Sequence, residues 1–189
     1  MITEIRKKKI HHFFNVLDTN HNGILQPNDF KDVAIKICEY AGIDKFNKKY
    51  DNTIVQSYRI FIQVLTDLEK HIELEISKEE WVLFIEKNLI SDLDASPPID
   101  HYITRIVFYI FNLFDINNDA VISIDEYVRM FKIYEIDPSF SQHAFEQLDR
   151  NGDKVISREE FADAVKEYFL SDDAGARGNW IFGPWDNDK

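Results

Sequence analysis

The stretch Asp115-Ile116-Asn117-Asn118-Asp119-Ala120-Val121-Ile122-Ser123-Ile124-Asp125-Glu126 places oxygen-bearing side chains at its first, third, fifth and twelfth positions. A hard divalent cation such as calcium takes six to eight oxygens at roughly 2.3–2.6 Å. A twelve-residue loop supplies them from those early side chains, its seventh carbonyl and a closing bidentate carboxylate. Asp115, Asn117, Asp119, the Val121 carbonyl and Glu126 fit the roles. Ser123, at the ninth position, opens a Ser-x-x-Glu capping box with Glu126, so the residue that closes the ion site also starts the next helix. The grammar repeats from Asp149 to Glu160, with Asp149, Asn151, Asp153, the Val155 carbonyl and Glu160 in the same places. Ile122 and Ile156 share the eighth position, where two back-to-back loops would form a short antiparallel contact.

Two further stretches follow this grammar less closely. Asp18 to Asp29 has Gly23 at the sharp turn, Ile24 as carbonyl donor and Pro27 where a helix begins. It closes with aspartate, which reaches an ion less readily with both oxygens. With Asn20 and Asn22 inside the loop, only Asp18 and Asp29 bring charge. This loop should hold calcium more weakly than the other two and leave room for magnesium. From Glu69 to Glu80 the first half of the pattern fails: Glu69 and His71 stand at the first and third positions, and Leu74 where glycine is expected. Its second half, Ile76, the Ser77-Lys78-Glu79-Glu80 box and Trp81, still matches. This stretch is expected to keep a structural role and to have lost calcium.

Helices must flank each loop. Ile10, Phe13, Phe14 and Leu17 recur at helical spacing before Asp18. Phe30, Val33, Ala34, Ile37 and Ala41 stripe a second helix until Gly42. A polar connection to about Asn52 precedes a third helix through Ile54, Tyr58, Phe61, Ile62, Leu65 and Leu68, and Trp81, Phe84, Ile85 and Leu89 give a fourth. Pro97-Pro98 break the periodicity. Ile103, Ile106, Val107, Ile110 and Phe114 lead into Asp115. Tyr127, Met130, Phe131 and Tyr134 leave that loop, and Asp137-Pro138 caps the helix that enters Asp149. Phe161, Ala164, Val165, Tyr168 and Phe169 form the last helix.

A chain of 189 residues, 44% hydrophobic, is long enough to bury a sizeable core. Its net charge of -12 argues against nucleic acid or an anionic membrane surface as partner. The one basic run, Arg6-Lys7-Lys8-Lys9, reads as the solvated face of the first helix, and His11-His12 as surface and edge packing. The single Cys38 fits a reducing compartment. No secretory signal is visible, Ile2 replaces the glycine that myristoylation needs, and the longest apolar run, Ile106 to Phe111, is too short for an integral membrane segment. A soluble, cytoplasmic monomer is expected. Without a phosphate-cradling glycine loop, a His-Glu-x-x-His or a nucleophile elbow, no enzyme is expected.

The paired loops, the degenerate second loop, Lys78-Glu79-Glu80-Trp81 and the tail with its Gly178-Asn179-x-x-Phe182-Gly183 ending resemble the calexcitin and sarcoplasmic calcium-binding protein group of the EF-hand superfamily. The resemblance implies an all-α fold, with four EF-hands in two pairs forming one compact globule. It also implies calcium in hands one, three and four, and a role in buffering or calcium signalling. Carried over, hand one is Asp18, Asn20, Asn22, Ile24 and Asp29. The expected organisation is an N-terminal pair over 1–90, a linker over 91–100, a C-terminal pair over 101–170, and a tail over 171–189 docked on the helices.

The primary reading is a calcium buffer or compact signalling protein binding about three Ca2+, with Mg2+ an option at hand one. With only Met1 and Met130, the chain lacks the flexible methionine lining of promiscuous sensors. Trp180-Ile181-Phe182-Gly183-Pro184-Trp185 is apolar enough to fold back into the interhelical cleft. Two alternatives are a sensor that engages a protein target when the tail is displaced, and a luciferin-binding-like carrier of a small apolar ligand. Core packing explains the aromatic residues better than the carrier does.

Ala120 and Lys154 occupy the sixth loop position, which demands positive φ and costs a side chain roughly 1–2 kcal/mol. Ala120→Gly is therefore expected to tighten calcium binding at the third hand. Equal affinities in calcium titrations of both proteins would overturn this.

Overall fold

The computed structural model describes residues 2–70, 72–90, 110–112 and 114–186. The expected linker at 91–100, the residues Ile103, Ile106 and Val107, and His71 lie outside them.

Helix α1 (Glu4–Leu17) starts where the Thr3 side chain accepts from the Arg6 N–H, and runs into the first loop at Asp18. The loop passes through β1 (Ile24–Leu25) into α2 (Pro27–Tyr40), with Pro27 in the first turn, where no N–H is required. Helix α3 (Lys48–Asp67) begins earlier than its apolar spacing suggests, because the Asn47 side chain accepts from the Lys49 N–H and caps it there. The second loop leads through β2 (Ile76–Ser77) to α4 (Lys78–Phe84), which widens into a π-helical stretch at Ile85–Ile90. There the Asn88 amide donates to the Phe84 carbonyl at 3.1 Å and competes with the backbone ladder.

Helical residues 110–112 and 114 lead into Asp115. Then follow β3 (Val121–Ser123), α5 (Ile124–Ile133), a 3-10 turn at Pro138–Phe140, α6 (Ser141–Leu148), β4 (Val155–Ser157) and α7 (Arg158–Leu170). The loops meet in antiparallel pairs: Ile24 opposite Ser77 and Leu25 opposite Ile76 in one half, Ile122 opposite Ile156 in the other. The fold is all-α apart from these short strands, with four hands in two pairs and the second hand degenerate.

One apolar core joins both halves. Phe13 of α1 lies 5.8 Å from Trp81, 5.7 Å from Phe169 and 4.5 Å from Phe182, so helices from each half and the tail meet on one ring. At the rim, Lys36 of α2 pairs with Glu135 after α5 at 2.6 Å.

The tail forms a 3-10 turn at Arg177–Trp180 against α6 and α7. Gly178 is needed here because a Cβ would meet the Ala164 carbonyl at 2.5 Å, and Gly183 turns at φ 77 beside Ile136. Between them Asn179, Ile181 and Phe182 are buried. Asn179 accepts from the Lys9 ammonium at 2.9 Å and donates to the Asp173 carbonyl. Lys9 corrects the expectation of a solvated basic face. It is fully buried, and its ammonium also donates to the carbonyls of Ser171 (2.8 Å) and Glu167 (3.4 Å). Burial pulls its pKa down to about 8 against the opposing charge of Asp172, leaving it protonated at neutral pH. Nearby, Tyr168 donates to the Lys9 carbonyl at 2.6 Å, and His12 Nε2 lies 2.9 Å from the Phe182 carbonyl.

Truncating a core phenylalanine costs about 3–5 kcal/mol. In a chain of this size, Phe182→Ala, or deletion from Asn179 onward, should lower the thermal midpoint by roughly 10 °C and increase binding of a hydrophobic-surface dye. An unchanged midpoint and dye signal would contradict the packing of the tail.

Candidate metal centres

Three loops share a clamp from the first carboxylate to the sixth N–H, with a second bond from the fifth N–H in hands one and three and from the fourth in hand four. In hand one, Asp18 accepts from the N–H groups of Asn22 (3.2 Å) and Gly23 (2.8 Å). In hand three, Asp115 accepts from Asp119 and Ala120, both at 3.0 Å. In hand four, Asp149 accepts from Gly152 (2.7 Å) and Lys154 (3.0 Å). Each third-position asparagine, Asn20, Asn117 or Asn151, accepts from the N–H two residues on, at 3.0, 2.9 and 2.8 Å. Each fifth residue, Asn22, Asp119 or Asp153, does the same for the seventh N–H of Ile24, Val121 or Val155. The loops are thus wound by their own polar side chains, with the seventh carbonyl held in register.

The winding requires left-handed backbone. The sixth residues Gly23, Ala120 and Lys154 stand at φ 84, 68 and 71. The fourth residues His21, Asn118 and Gly152 are also left-handed, at φ 56, 59 and 76. Sequence reasoning missed this second requirement. Asn118 and Gly152 were its available signals, and His21 hid it.

The twelfth carboxylates are buried and close each loop from the far side. Glu126 accepts from the Ser123 N–H (2.9 Å) and hydroxyl (2.7 Å) with one oxygen, and from the Ile116 N–H (3.0 Å) with the other. Glu160 repeats this with Ser157 and with the N–H groups of Arg150 (2.9 Å) and Asn151 (3.3 Å). Burial works against the Glu160 charge, but these donors outweigh it and hold its pKa below the usual carboxylate value. Asp29, only 1% exposed, spans the same gap with a shorter arm. It accepts from the Gln26 N–H at 2.7 Å, the Thr19 hydroxyl at 3.1 Å and the Asn20 amide at 3.0 Å.

Among the described residues no three Asp, Glu, His or Cys side chains form a metal cluster by themselves. Each donor set depends on asparagine and carbonyl oxygens as well as carboxylates, a composition that fits a hard oxygen-seeking cation and not a soft metal.

The second loop departs where it starts. Glu69 stands at φ 58 and ends α3, with the Lys70 N–H bonded to the Leu65 carbonyl at 2.9 Å. A first residue in this helix-terminating conformation does not make the clamp seen for Asp18, Asp115 and Asp149. The closing box survives: Glu80 accepts from the Ser77 N–H at 2.7 Å. Its other oxygen accepts from the Lys70 ammonium at 2.6 Å. Burial disfavours the Lys70 charge, yet bonding and attraction from Glu80 and Glu73 hold its pKa above the usual lysine value.

A cavity of about 390 Å³ lies between α2, α3 and α4 on one side and Tyr134, Val165, Phe169 and Phe182 on the other. Its wall is mostly apolar, with Gln56, Ser57, Arg59 and Gln63 of α3 contributing polar groups. Trp81 borders it, and the buried indole N–H of Trp81 has no acceptor among the described residues. No helix among the described residues is long and apolar enough to cross a membrane.

Comparison with known proteins agrees with this geometry. A family model described as an EF-hand domain pair matches residues 108–166, and one described as an EF hand matches residues 10–34. Sarcoplasmic calcium-binding protein 1 of Astacus leptodactylus is 24% identical over 177 residues, covering 88% of this chain and 89% of its own. The structure of a sarcoplasmic calcium-binding protein from amphioxus superposes with a TM-score of 0.73 at 18% identity, over 97% of this chain and 99% of that one. The calcium-loaded apo form of the coelenterazine-binding protein from Renilla muelleri gives 0.71 at 21% identity, over 96% and 99%. The chain carries EF-hand sequence over residues 10–34 and 108–166, and over most of its length it is similar to, and shares the fold of, the sarcoplasmic calcium-binding proteins.

Proposed function

We propose that the protein binds about three calcium ions per chain and acts as a buffer or compact signalling protein in the cytoplasm. The observation that carries this is the winding pattern common to hands one, three and four, which the described residues of hand two do not make. The ligands are Asp18, Asn20, Asn22, Ile24 and Asp29 in hand one; Asp115, Asn117, Asp119, Val121 and Glu126 in hand three; and Asp149, Asn151, Asp153, Val155 and Glu160 in hand four. The side chains supply oxygens directly, and Ile24, Val121 and Val155 through their carbonyls. Hand one, with the short Asp29 and two charges, is the site where magnesium competes. A closed rather than groove-exposing response is supported by the burial of Ile181 and Phe182 against the helices and by the burial of Met130, the one methionine besides Met1. The free Cys38 suits a reducing compartment, and no catalytic role is proposed.

A second reading is favoured by the cavity. Its volume falls in the range of small-molecule sites, and a buried indole N–H with no acceptor among the described residues costs stability unless something accepts from it. A neighbour of the same fold is named for binding coelenterazine. An apolar ligand bearing one hydrogen-bond acceptor suits this wall.

Calorimetric titration in magnesium-free buffer should saturate near three equivalents of calcium. Glu126→Gln and Glu160→Gln should each weaken one site by at least about tenfold, because charge count tunes such loops over decades. Two or four equivalents in the wild type would overturn the assignment. For the cavity, coelenterazine serves as the probe. It should quench tryptophan fluorescence with one-to-one saturation, and Trp81→Phe should weaken binding by about tenfold, the worth of one buried hydrogen bond. No quenching up to about 100 µM, a binding free energy weaker than about 5.5 kcal/mol, would retire the second reading.

A further inference from the structure

In all four loops one oxygen of the closing carboxylate accepts from the ninth N–H: Gln26, Ser77, Ser123 or Ser157, at 2.7, 2.7, 2.9 and 2.9 Å. The other oxygen takes a donor from the second residue of its loop. That donor is the Thr19 hydroxyl in hand one and the N–H of Ile116 or Arg150 in hands three and four. In the second hand the N–H of Lys70 is consumed by the end of α3, and its ammonium reaches Glu80 instead, at 2.6 Å. The same ammonium lies 3.4 Å from the Glu73 carboxylate. Glu73 and Glu80 are the fifth and twelfth residues, two positions that bind the ion in a working loop. The Lys70 side chain is 14% exposed against 34% for Glu80 and 76% for Glu73, so the ammonium is held mainly by Glu80, with the solvated Glu73 carboxylate on its outer side.

We propose that the Lys70 ammonium stands in for calcium in the second hand, keeping that loop closed and strand-paired at every calcium level. The first hand then binds its ion beside a partner that is already set. The connection is short. Glu80 holds the Ser77 N–H, Ser77 lies opposite Ile24 in the strand pair, and Ile24 supplies the seventh carbonyl of hand one. A second tie, the Gln26 amide to Glu75 at 2.9 Å, joins the ninth residue of one loop to the seventh of the other. A tethered cation cannot dissociate, so hand one binds without waiting for an ion in its partner, whereas hands three and four both carry full donor sets. This rests on hand one being an ion site.

The test compares full-length wild type, Lys70→Met and Lys70→Arg by amide NMR. Gly23, Ala120 and Lys154, each clamped to the first carboxylate of its own loop, report hands one, three and four separately. Without calcium, the amide of Leu25 or Ile76 in the strand pair should exchange slowly in wild type and Lys70→Arg and rapidly in Lys70→Met. In calcium titrations Lys70→Met should weaken the Gly23-reported site by about tenfold, within the usual range of coupling between sites, and leave the other two unchanged. Slow exchange in Lys70→Met, or a Gly23 affinity within about twofold of wild type, a change too small for site coupling, overturns the proposal. If Gly23 does not respond to calcium even in wild type, hand one is misassigned, and the calcium-free exchange result alone decides the role of Lys70.

Discussion

Everything in this fold depends on how a buried carboxylate finds enough donors. Asp29, Glu126 and Glu160, all buried, and the partly exposed Glu80 each sit in the first turn of a helix and at the end of a loop, held from both sides. A desolvated carboxylate left without donors costs several kcal/mol, so the loop cannot open without penalty once the helix has formed. The capping box therefore uses the same oxygens that each loop would offer to an ion.

The second hand shows what happens when one part of that arrangement fails. Glu69 ends α3 in a left-handed conformation and removes both the first ligand and the N–H that the closing carboxylate uses elsewhere. The lysine that follows replaces the donor with a charge. The hand remains a geometric partner to hand one without needing the same chemistry.

The two halves and the tail share one constraint. Lys9 buries a charge in the core, and every acceptor it uses belongs to α7 or the tail: the carbonyls of Glu167 and Ser171 and the amide oxygen of Asn179. Glu167 also accepts from the Gly178 N–H at 2.7 Å and pairs with Arg150 of hand four at 3.0 Å. The first helix, the last hand and the tail are thus linked through polar groups that satisfy one another. Phe13, Trp81, Phe169 and Phe182 supply the apolar contact around them.

The sequence alone determined the loops and their pairing. Oxygen spacing, the Ser-x-x-Glu boxes and eighth-position isoleucines are local features, and local geometry leaves them few other uses. The strain at Ala120 and Lys154 was equally legible, because φ at the sixth position follows from the loop and not from its surroundings. Only the tertiary structure decided matters that depend on distant residues. Lys9 reads as a surface cation until three acceptors from residues 167–179 close over it. Asn47 and Asn88 shift helix boundaries through single side-chain bonds that periodicity does not register. The cavity beside Trp81 is the volume left between helices from both halves, and no stretch of sequence encodes a gap. Position along the chain fixes which oxygens can converge; burial, which is a property of the whole packed molecule, fixes which charges must.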